Sequence, residues 1–213
     1  MIPNGVDLKI FTPANQPLYR DRIRQKHGIS HSDRVLIFAG GDWERKGVPY
    51  IIEALSLLPR PDVKLFISGS GDEIFYGQLA ELKQVRERII FVSGSSNLWE
   101  YYAASDIFVF PTIYEPFGLV IVEAMASSLP VITSRVAGAA DFMNDGVDCL
   151  LLNNPSDVNE LATKIELLLS NAELRKTMAE RARKTVEKLS WDQVAKKTLE
   201  VYNSVLKRER RIA

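Results

Sequence analysis

Short apolar runs recur along most of the chain and are separated by longer segments of mixed polarity. Each run is apolar at successive rather than alternate positions and is rich in Val, Ile and Phe, which is typical of strands covered on both faces. The six runs are Val35–Ala39, Val63–Ser68, Ile89–Val92, Ile107–Phe110, Val131–Thr133 and Cys149–Leu152. They predict a Rossmann-like α/β fold, a doubly wound parallel sheet of about six strands with helices on both faces.

Helical patterns fill the intervals and continue after the last apolar run. Between the runs we predict helices at Val48–Leu58, Glu73–Arg86, Asn97–Ala104 and Gly118–Ser127, and a short one at Ala139–Met143. Three C-terminal helices follow: from Ser156 or Asp157 to Leu169, from Ala172 to Leu189, and from Ser190 onward. The predicted organisation is a turn-rich N-terminal extension (1–34), a Rossmann-like domain (35–189) and a last helix with a basic tail (190–213).

Composition narrows the class of protein. The chain has 27 Lys and Arg residues and 27 Asp and Glu residues, so it carries no excess of positive charge, and we expect no nucleic-acid partner. Its one cysteine, Cys149, excludes an intrachain disulfide, and we interpret it as a buried thiol of a reducing, cytoplasmic compartment. The sequence gives no sign of a signal peptide or of the ~18 uncharged apolar residues of a membrane span.

The sequence contains two clusters of basic residues to which no ligand can be assigned from the sequence. The first cluster is Arg20, Arg22, Arg24 and Lys26. On a helix their spacing by two spreads the charges round the axis, so we interpret them as a solvated surface, and the basic residues at 207–211 as a frayed tail. We expect no metal site, because no His, Asp or Glu spacing resembles one and no Asp-x-Asp pair is present.

The first strand opens into the run Gly40-Gly41-Asp42-Trp43-Glu44-Arg45-Lys46-Gly47. In parallel sheets the ligand lies outside the carboxyl ends of the strands, so this loop is a candidate site. Gly40 and Gly41 allow a ligand to approach the backbone, and Arg45 and Lys46 are adjacent cations at a helix start. The loop suits a phosphate or diphosphate, although by itself a surface turn explains it equally well.

The loops after the second and third strands consist of small residues. Ser68-Gly69-Ser70-Gly71 lacks the third glycine of a dinucleotide fingerprint, so it is either a tight turn or a backbone that passes close to a nucleotide at Gly69. Ser93 and Gly94 follow the third strand in the same manner. We keep Gly69, Ser93 and Gly94 as candidate ligand contacts.

Two glutamates mark the segment after the fourth strand. Glu115 precedes Pro116-Phe117-Gly118-Leu119, and Glu123 lies within a helix that is apolar on nearly all sides. A buried carboxylate needs a partner, and the hydroxyls of a neutral polyol can supply one. Because eight residues make a little over two helical turns, we expect Glu115 and Glu123 to border one cleft. The alternative is that Glu123 pairs with an internal Arg or Lys.

At these residues the chain resembles the C-terminal half of retaining glycosyltransferases of the GT-B fold, in the group that includes glycogen synthase, known as glycosyl transferases group 1 or family four. The resemblance covers nearly the whole chain. Its most specific motif is Glu-x7-Glu, here Glu115 and Glu123. The supporting motifs are Pro3-Asn4-Gly5-Val6-Asp7, Arg45-Lys46-Gly47, Ala104-Ser105-Asp106, Glu123-Ala124-Met125-Ala126 and Leu129-Pro130-Val131-Ile132.

The resemblance implies transfer of a sugar from a nucleoside diphosphate, with retention and without a bound metal. Catalysis is expected from Lys46, which contacts the diphosphate, and from Glu115, which holds hydroxyls of the sugar. The amides of Phe117, Gly118 and Leu119 are expected to hold the sugar and phosphate, and Glu123 the ribose. The loop with Ser93 and Gly94 would lie along the base, and Gly40, Gly41, Arg45 and Gly69 complete the expected donor site. Uridine is the expected base.

Three departures from the family pattern affect the expected donor site. Gly41 stands where an Arg is usual, and Arg45 is the expected substitute for that cation. Ser128 replaces a usual Gly, and Asp141 a usual Glu in a changed turn. The chain also begins at the interdomain linker, so an N-terminal acceptor-binding domain is expected elsewhere, with the last helix crossing back to it. We expect the isolated chain to bind donor and not to transfer sugar.

Two other functions remain open on the sequence. Another GT-B protein, such as a nucleotide-sugar epimerase or a phosphorylase, would share the fold, although the further acids and histidine of an epimerase and the pyridoxal-phosphate lysine context of a phosphorylase are not found. A non-enzymatic, flavodoxin-like binding module would have no affinity for nucleoside diphosphates and would leave Glu123 unexplained. The acceptor, whether polysaccharide, lipopolysaccharide or glycolipid, belongs to the domain expected elsewhere, and this half gives no indication of membrane association.

Overall fold

A computed structural model of the chain, which describes residues 2–92 and 97–209, contains one six-stranded sheet whose strands all run parallel. The strands are β1 (Arg34–Ala39), β2 (Val63–Ser68), β3 (Ile89–Val92), β4 (Ile107–Phe110), β5 (Val131–Ser134) and β6 (Leu150–Leu152). Each predicted apolar run forms a strand, with bounds that differ by at most one residue. The predicted Rossmann-like fold is confirmed.

Eight α-helices surround this sheet within the described residues. They are α1 (Gln16–Lys26), α2 (Val48–Leu57), α3 (Glu73–Leu82), α4 (Leu98–Ala104), α5 (Leu119–Ala126), α6 (Val158–Ser170), α7 (Ala172–Glu187) and α8 (Trp191–Glu209). Short 3-10 helices lie at Pro13–Asn15, Arg86–Arg88 and Gly138–Phe142. The prediction that α3 extends to Arg86 is wrong, because Gln84 adopts a positive φ of 58° that a helix cannot continue through.

The strand order is β3-β2-β1-β4-β5-β6, so the direction of winding reverses between β1 and β4. These strands pair in register at Leu36–Ile107 and Ile37–Phe108. Every residue of β4 and β5 is buried, which means that helices cover both faces of the sheet at its centre. The reversal leaves a crevice outside the carboxyl ends of β1 and β4, where ligands bind in folds of this class.

Helix α1 corrects the expectation of a turn-rich N-terminal segment. The expectation of a solvated basic surface holds for Arg22 and Lys26, which are exposed, and is wrong for Arg20 and Arg24. The Arg24 side chain is 2% exposed, and its guanidinium donates to Asp106 Oδ2 at 2.8 Å and to the Ala104 carbonyl at 3.0 Å. Arg20 reaches Asp106 Oδ1 at 2.6 Å. The same carboxylate accepts the Val35 amide, so Asp106 joins α1 to the amino ends of β1 and β4.

The first and last segments of the described chain meet at one point. The Val6 amide donates to the Leu189 carbonyl at 2.9 Å, and a Cβ on Gly5 would lie 2.5 Å from the Trp191 ring. Ser190 caps α8 as predicted, since its hydroxyl accepts the Gln193 amide. This contact places the segment that contains Asn4 beside the crevice.

One side of α8 is apolar and exposed, as expected for the last helix. Its exposed apolar residues are Trp191, Leu199, Val201, Tyr202, Val205 and Leu206. Across residues 2–92 and 97–209, no helix has the length and apolar content needed to cross a membrane.

Candidate active site

The loop after β1 is shaped by a buried tryptophan. The Trp43 ring is 2% exposed, and its indole N–H donates to the Gly40 carbonyl at 2.9 Å. A Cβ on Gly71 would lie 2.0 Å from this ring, so only glycine fits there. The loop therefore folds back over Trp43 and directs its later residues toward the crevice.

The two glycines at the end of β1 have different neighbours. Gly40 has a φ of 141°, and a Cβ there would come within 3.0 Å of Lys46 Nζ, so the lysine side chain lies along its backbone. A Cβ on Gly41 would lie 2.8 Å from Ser70 Oγ. Gly69 has a φ of 125°, and a Cβ added there would lie 2.1 Å from the Gly40 carbonyl oxygen. Close packing between the loops that follow β1 and β2 thus explains why residue 69 is glycine. Contact of Gly69 with a ligand stays a prediction.

The loop after β4 ends at a helix start without a side-chain cap. Gly118 is the N-cap of α5, and its φ of 94° is left-handed. The first turn of any helix leaves amides without intrahelical acceptors. Glycine offers no side-chain oxygen to these amides. The Ile121 amide donates to the Gly118 carbonyl, and the amides that precede it remain available to a ligand at the crevice.

Lys46 and Glu115 meet in this crevice. Lys46 Nζ lies 3.9 Å from Glu115 Oε2, and the side chains are 17% and 15% exposed. They line a cavity of about 310 Å³. Its other lining residues are Asn4, Pro116, Phe117, Gly118, Leu119 and Val120. The structure thus brings together five of the predicted site residues. Asn4 is a lining residue that sequence reasoning missed, because only the tertiary contact of its segment with α8 places it there.

The 3-10 helix after β5 supports the Glu115 loop through its backbone. The Gly138 amide donates to the Glu115 carbonyl at 3.0 Å, and the Ala139 amide to the Phe117 carbonyl at 2.7 Å. A Cβ on Gly138 would lie 2.1 Å from the Pro116 carbonyl oxygen, which makes glycine necessary at this contact. Asp141, the acid that departs from the family pattern, is exposed.

Glu123 lies one turn into α5 and is half-buried. Burial raises the pKa of its carboxyl group to about 7. Within the described ranges no Arg or Lys pairs with it, so the expected alternative of an internal ion pair is not observed. Glu123 is not among the described residues that line the 310 Å³ cavity, which differs from the expectation that both carboxylates border one cleft.

Arg45 has partners within the protein. Its Nε donates to Asp42 Oδ2 at 2.6 Å, and its terminal nitrogen donates to the Tyr114 carbonyl. Its own carbonyl accepts the Ile113 amide at 2.9 Å. The predicted contacts Ser93 and Gly94 lie outside the described residues.

A larger cavity, of about 470 Å³, lies at the opposite edge of the sheet. Its lining includes Asp106, Leu129 and Pro130, which precede β4 and β5, together with Arg175 of α7. We favour the smaller cavity as the functional site, because it lies at the carboxyl ends of the strands and contains the opposed charges of Lys46 and Glu115.

Comparison with known proteins identifies the family of this chain. The family model for glycosyl transferases group 1 matches residues 19–185. The chain belongs to this family. Lipopolysaccharide glucosyltransferase WaaG of Escherichia coli K12 is 35% identical over 170 residues, which cover 78% of this chain and 46% of WaaG. This group 1 chain spans about half the length of the curated relatives it matches.

Solved structures agree with the family assignment and with the expected C-terminal half of a GT-B enzyme. The C-terminal domain of the glycosyl transferase group 1 protein LpcC from Francisella tularensis has a TM-score of 0.72 and 27% identity, covering 86% of this chain and 97% of that one. Anabaena HepE in complex with UDP and with UDP-glucose gives TM-scores of 0.85 and 0.84 at 25% identity. Those matches cover 95% of this group 1 chain and 57% of HepE.

Proposed function

We propose that this chain is the donor-binding half of a retaining, metal-independent glycosyltransferase. The observation that carries the proposal is the meeting of Lys46 and Glu115 at the crevice between β1 and β4. A nucleoside-diphosphate sugar presents an anion beside a ring of hydroxyls, and this pair offers a cation beside a carboxylate. Metal independence rests on the absence of an Asp-x-Asp pair from the sequence.

Lys46 acts on the leaving group. Its ammonium binds the diphosphate and stabilises the negative charge that develops as the bond to the sugar breaks, which is the principal catalytic contribution expected in such a site. The Lys46 side chain lies along the Gly40 backbone, and in this proposal Gly40 and Gly41 border the phosphates. The amides of residues 117–119, at the uncapped start of α5, donate to the phosphate and the sugar.

Glu115 and Glu123 bind hydroxyl groups at different positions. Glu115 accepts hydrogen bonds from the donor sugar, and its loop is fixed by the backbone bond from Gly138. Glu123 accepts hydrogen bonds from the two ribose hydroxyls. This role explains why a half-buried carboxylate has no partner among the described residues. Ser93 and Gly94 contact the base in this proposal.

Uridine is the proposed base, since HepE, a structural neighbour, is solved with UDP and with UDP-glucose. The proposed acceptor is a polysaccharide, lipopolysaccharide or glycolipid, and it binds to a second, N-terminal domain. Transfer requires that domain. The isolated chain therefore binds the donor without transferring the sugar. A cytoplasmic location is proposed because the one cysteine of this chain, Cys149, is a buried free thiol.

A thermal-shift titration with UDP, GDP and ADP, with and without EDTA, tests donor binding. A ligand at one hundred times its dissociation constant adds about 2.7 kcal/mol to the free energy of unfolding. We expect a shift with UDP that EDTA does not change. A shift with none of the three refutes the proposal, and loss of the shift in EDTA refutes metal independence. Sugar transfer by the isolated chain would contradict the proposed division of labour.

A further inference from the structure

Arg45 and Lys46 are adjacent cations with different surroundings. Lys46 is 17% exposed and faces Glu115 across the cavity, whereas the Arg45 side chain is 36% exposed and absent from the cavity lining of described residues. The two side chains thus point in different directions, and the two positive charges need not bind the same ligand.

Arg45 contacts each of the three residues that precede Glu115. Its carbonyl accepts the Ile113 amide at 2.9 Å. It also lies 3.4 Å from the Thr112 hydroxyl, whose shorter bond, at 2.9 Å, is to the Tyr114 carbonyl. Its guanidinium donates to the Tyr114 carbonyl. The backbone carbonyl of residue 45 therefore contacts two positions of the loop before Glu115, and the Arg45 side chain holds the third, Tyr114.

The guanidinium is itself held by a carboxylate. Asp42 Oδ2 accepts its Nε at 2.6 Å, and Asp42 has a left-handed φ of 51° that directs the loop around this contact. The Asp42 carboxylate neutralises much of the positive charge of Arg45 that would otherwise attract a diphosphate. Because the pair is exposed, it adds little to overall stability, and its effect is on loop geometry.

We infer that Arg45 is a positioning residue, which holds the loop before Glu115 so that this carboxylate reaches the donor sugar, a role that rests on the proposed function. The sequence interpretation assigned Arg45 to the diphosphate. The two roles predict different losses when the Arg45 side chain is changed. A diphosphate contact affects UDP and UDP-glucose alike, whereas a positioning role affects only binding of the sugar.

Isothermal titration of the chain with UDP and with UDP-glucose separates the roles. We expect Arg45→Met to weaken UDP-glucose by roughly three- to tenfold, the worth of one hydrogen bond, and to change UDP by less than about twofold. Arg45→Lys keeps the charge and loses the two-pronged contact, so it should resemble Arg45→Met. Arg181→Met, at an exposed position of α7, removes the same charge and serves as the control.

A double-mutant cycle with Glu115→Ala completes the test. If Arg45 acts through Glu115, its substitution has no further effect on UDP-glucose in the Glu115→Ala background. Equal losses for UDP and UDP-glucose, rescue of both by Arg45→Lys, or a loss that persists without Glu115 would each overturn the inference. Equal binding of UDP and UDP-glucose by the wild type would overturn it as well.

Hydrogen exchange gives a readout that needs no ligand. The amides of residues 112–115 and of Phe117 should exchange several-fold faster in Arg45→Met than in the wild type or Arg181→Met, because the Tyr114 carbonyl loses the guanidinium that supports the loop. Unchanged exchange contradicts the inference. Failure of the wild-type chain to bind any nucleotide refutes the proposed function, and the exchange measurement then still decides whether Arg45 holds the loop.

Discussion

Lys46 Nζ lies 3.9 Å from Glu115 Oε2, although the two residues follow different strands of the sheet. At this distance the opposite charges attract without forming a hydrogen bond, so the ammonium donors and the carboxylate acceptors stay available to a ligand. Both side chains are more than four-fifths buried, which strengthens electrostatic interactions at the site. The proposed donor site is therefore centred on this pair, where the sheet reverses its winding.

Lys46→Met should weaken UDP by roughly ten- to a hundredfold and leave uridine unchanged, because only the diphosphate carries charge. Titration calorimetry with both ligands measures the difference. Lys197→Met, an exposed change on α8, is the matched control. Equal losses for UDP and uridine would contradict the role of Lys46.

Glu115→Ala should spare UDP and weaken UDP-glucose by about tenfold, because the carboxylate serves the sugar hydroxyls. Competition between the two ligands in the same titration gives the ratio directly. Glu115→Gln keeps an acceptor and should lose less. A large loss for UDP alone would mean that Glu115 contacts the nucleotide instead.

Glu123 should make the stability of the free chain depend on pH. Burial raises its pKa from 4.5 to about 7, so the folded chain holds this proton more tightly than the unfolded chain. Its contribution to the free energy of unfolding therefore falls as the pH rises from about 4.5 to about 7 and is level above. Glu123→Gln should be more stable than the wild type at pH 8 by on the order of 1–2 kcal/mol.

Urea unfolding of both proteins at pH 5 and pH 8 checks this expectation, and parallel profiles would contradict it.

The role of Glu123 in ribose binding can be tested separately. Glu123→Ala should weaken UDP, GDP and ADP by the same factor, because ribose is common to them. Unchanged affinity for all three would refute the ribose role.

Ser128→Gly should stabilise the protein. Ser128 follows α5 with a φ of 57°, a conformation that costs other residues more than glycine. We expect a gain of about 0.5–1 kcal/mol, or a few degrees in Tm. Ser127→Gly is the matched control: Ser127 has a φ of −80°, so glycine relieves no backbone strain there and this gain should be absent. A Tm that falls in Ser128→Gly would contradict the argument.

Polar substitution on α8 should leave stability unchanged. Leu199 and Tyr202 are 60% and 63% exposed, so the double change to Lys should alter the free energy of unfolding by less than about 0.5 kcal/mol. It should also reduce self-association at high concentration, as measured by sedimentation. Leu168→Ala, at a fully buried site, should cost about 2–5 kcal/mol by comparison. A similar cost on α8 would show that its apolar face is packed.

The sequence by itself determined the sheet and predicted which residues meet at its edge. Continuous apolar runs are a local signal, so all six strands could be located within one residue. Lys46 and Glu115 could be proposed because glycine-rich and uncapped loops follow β1 and β4, and parallel topology brings such loops together. Ser128 was noted as a departure from a family glycine, and its left-handed backbone gives the physical reason for that glycine.

Only the tertiary structure decided which charges meet. The basic residues of the N-terminal segment suggested a solvated surface, yet Arg24 is buried against Asp106, a partner far along the chain. The guanidinium of Arg45 is similarly committed to Asp42 and to the Tyr114 carbonyl, and Asn4 reaches the cavity through the contact of Val6 with Leu189. Periodicity records which residues are buried along one element. It carries no information on the partner that a long polar side chain finds on another element, because folding alone brings the two together.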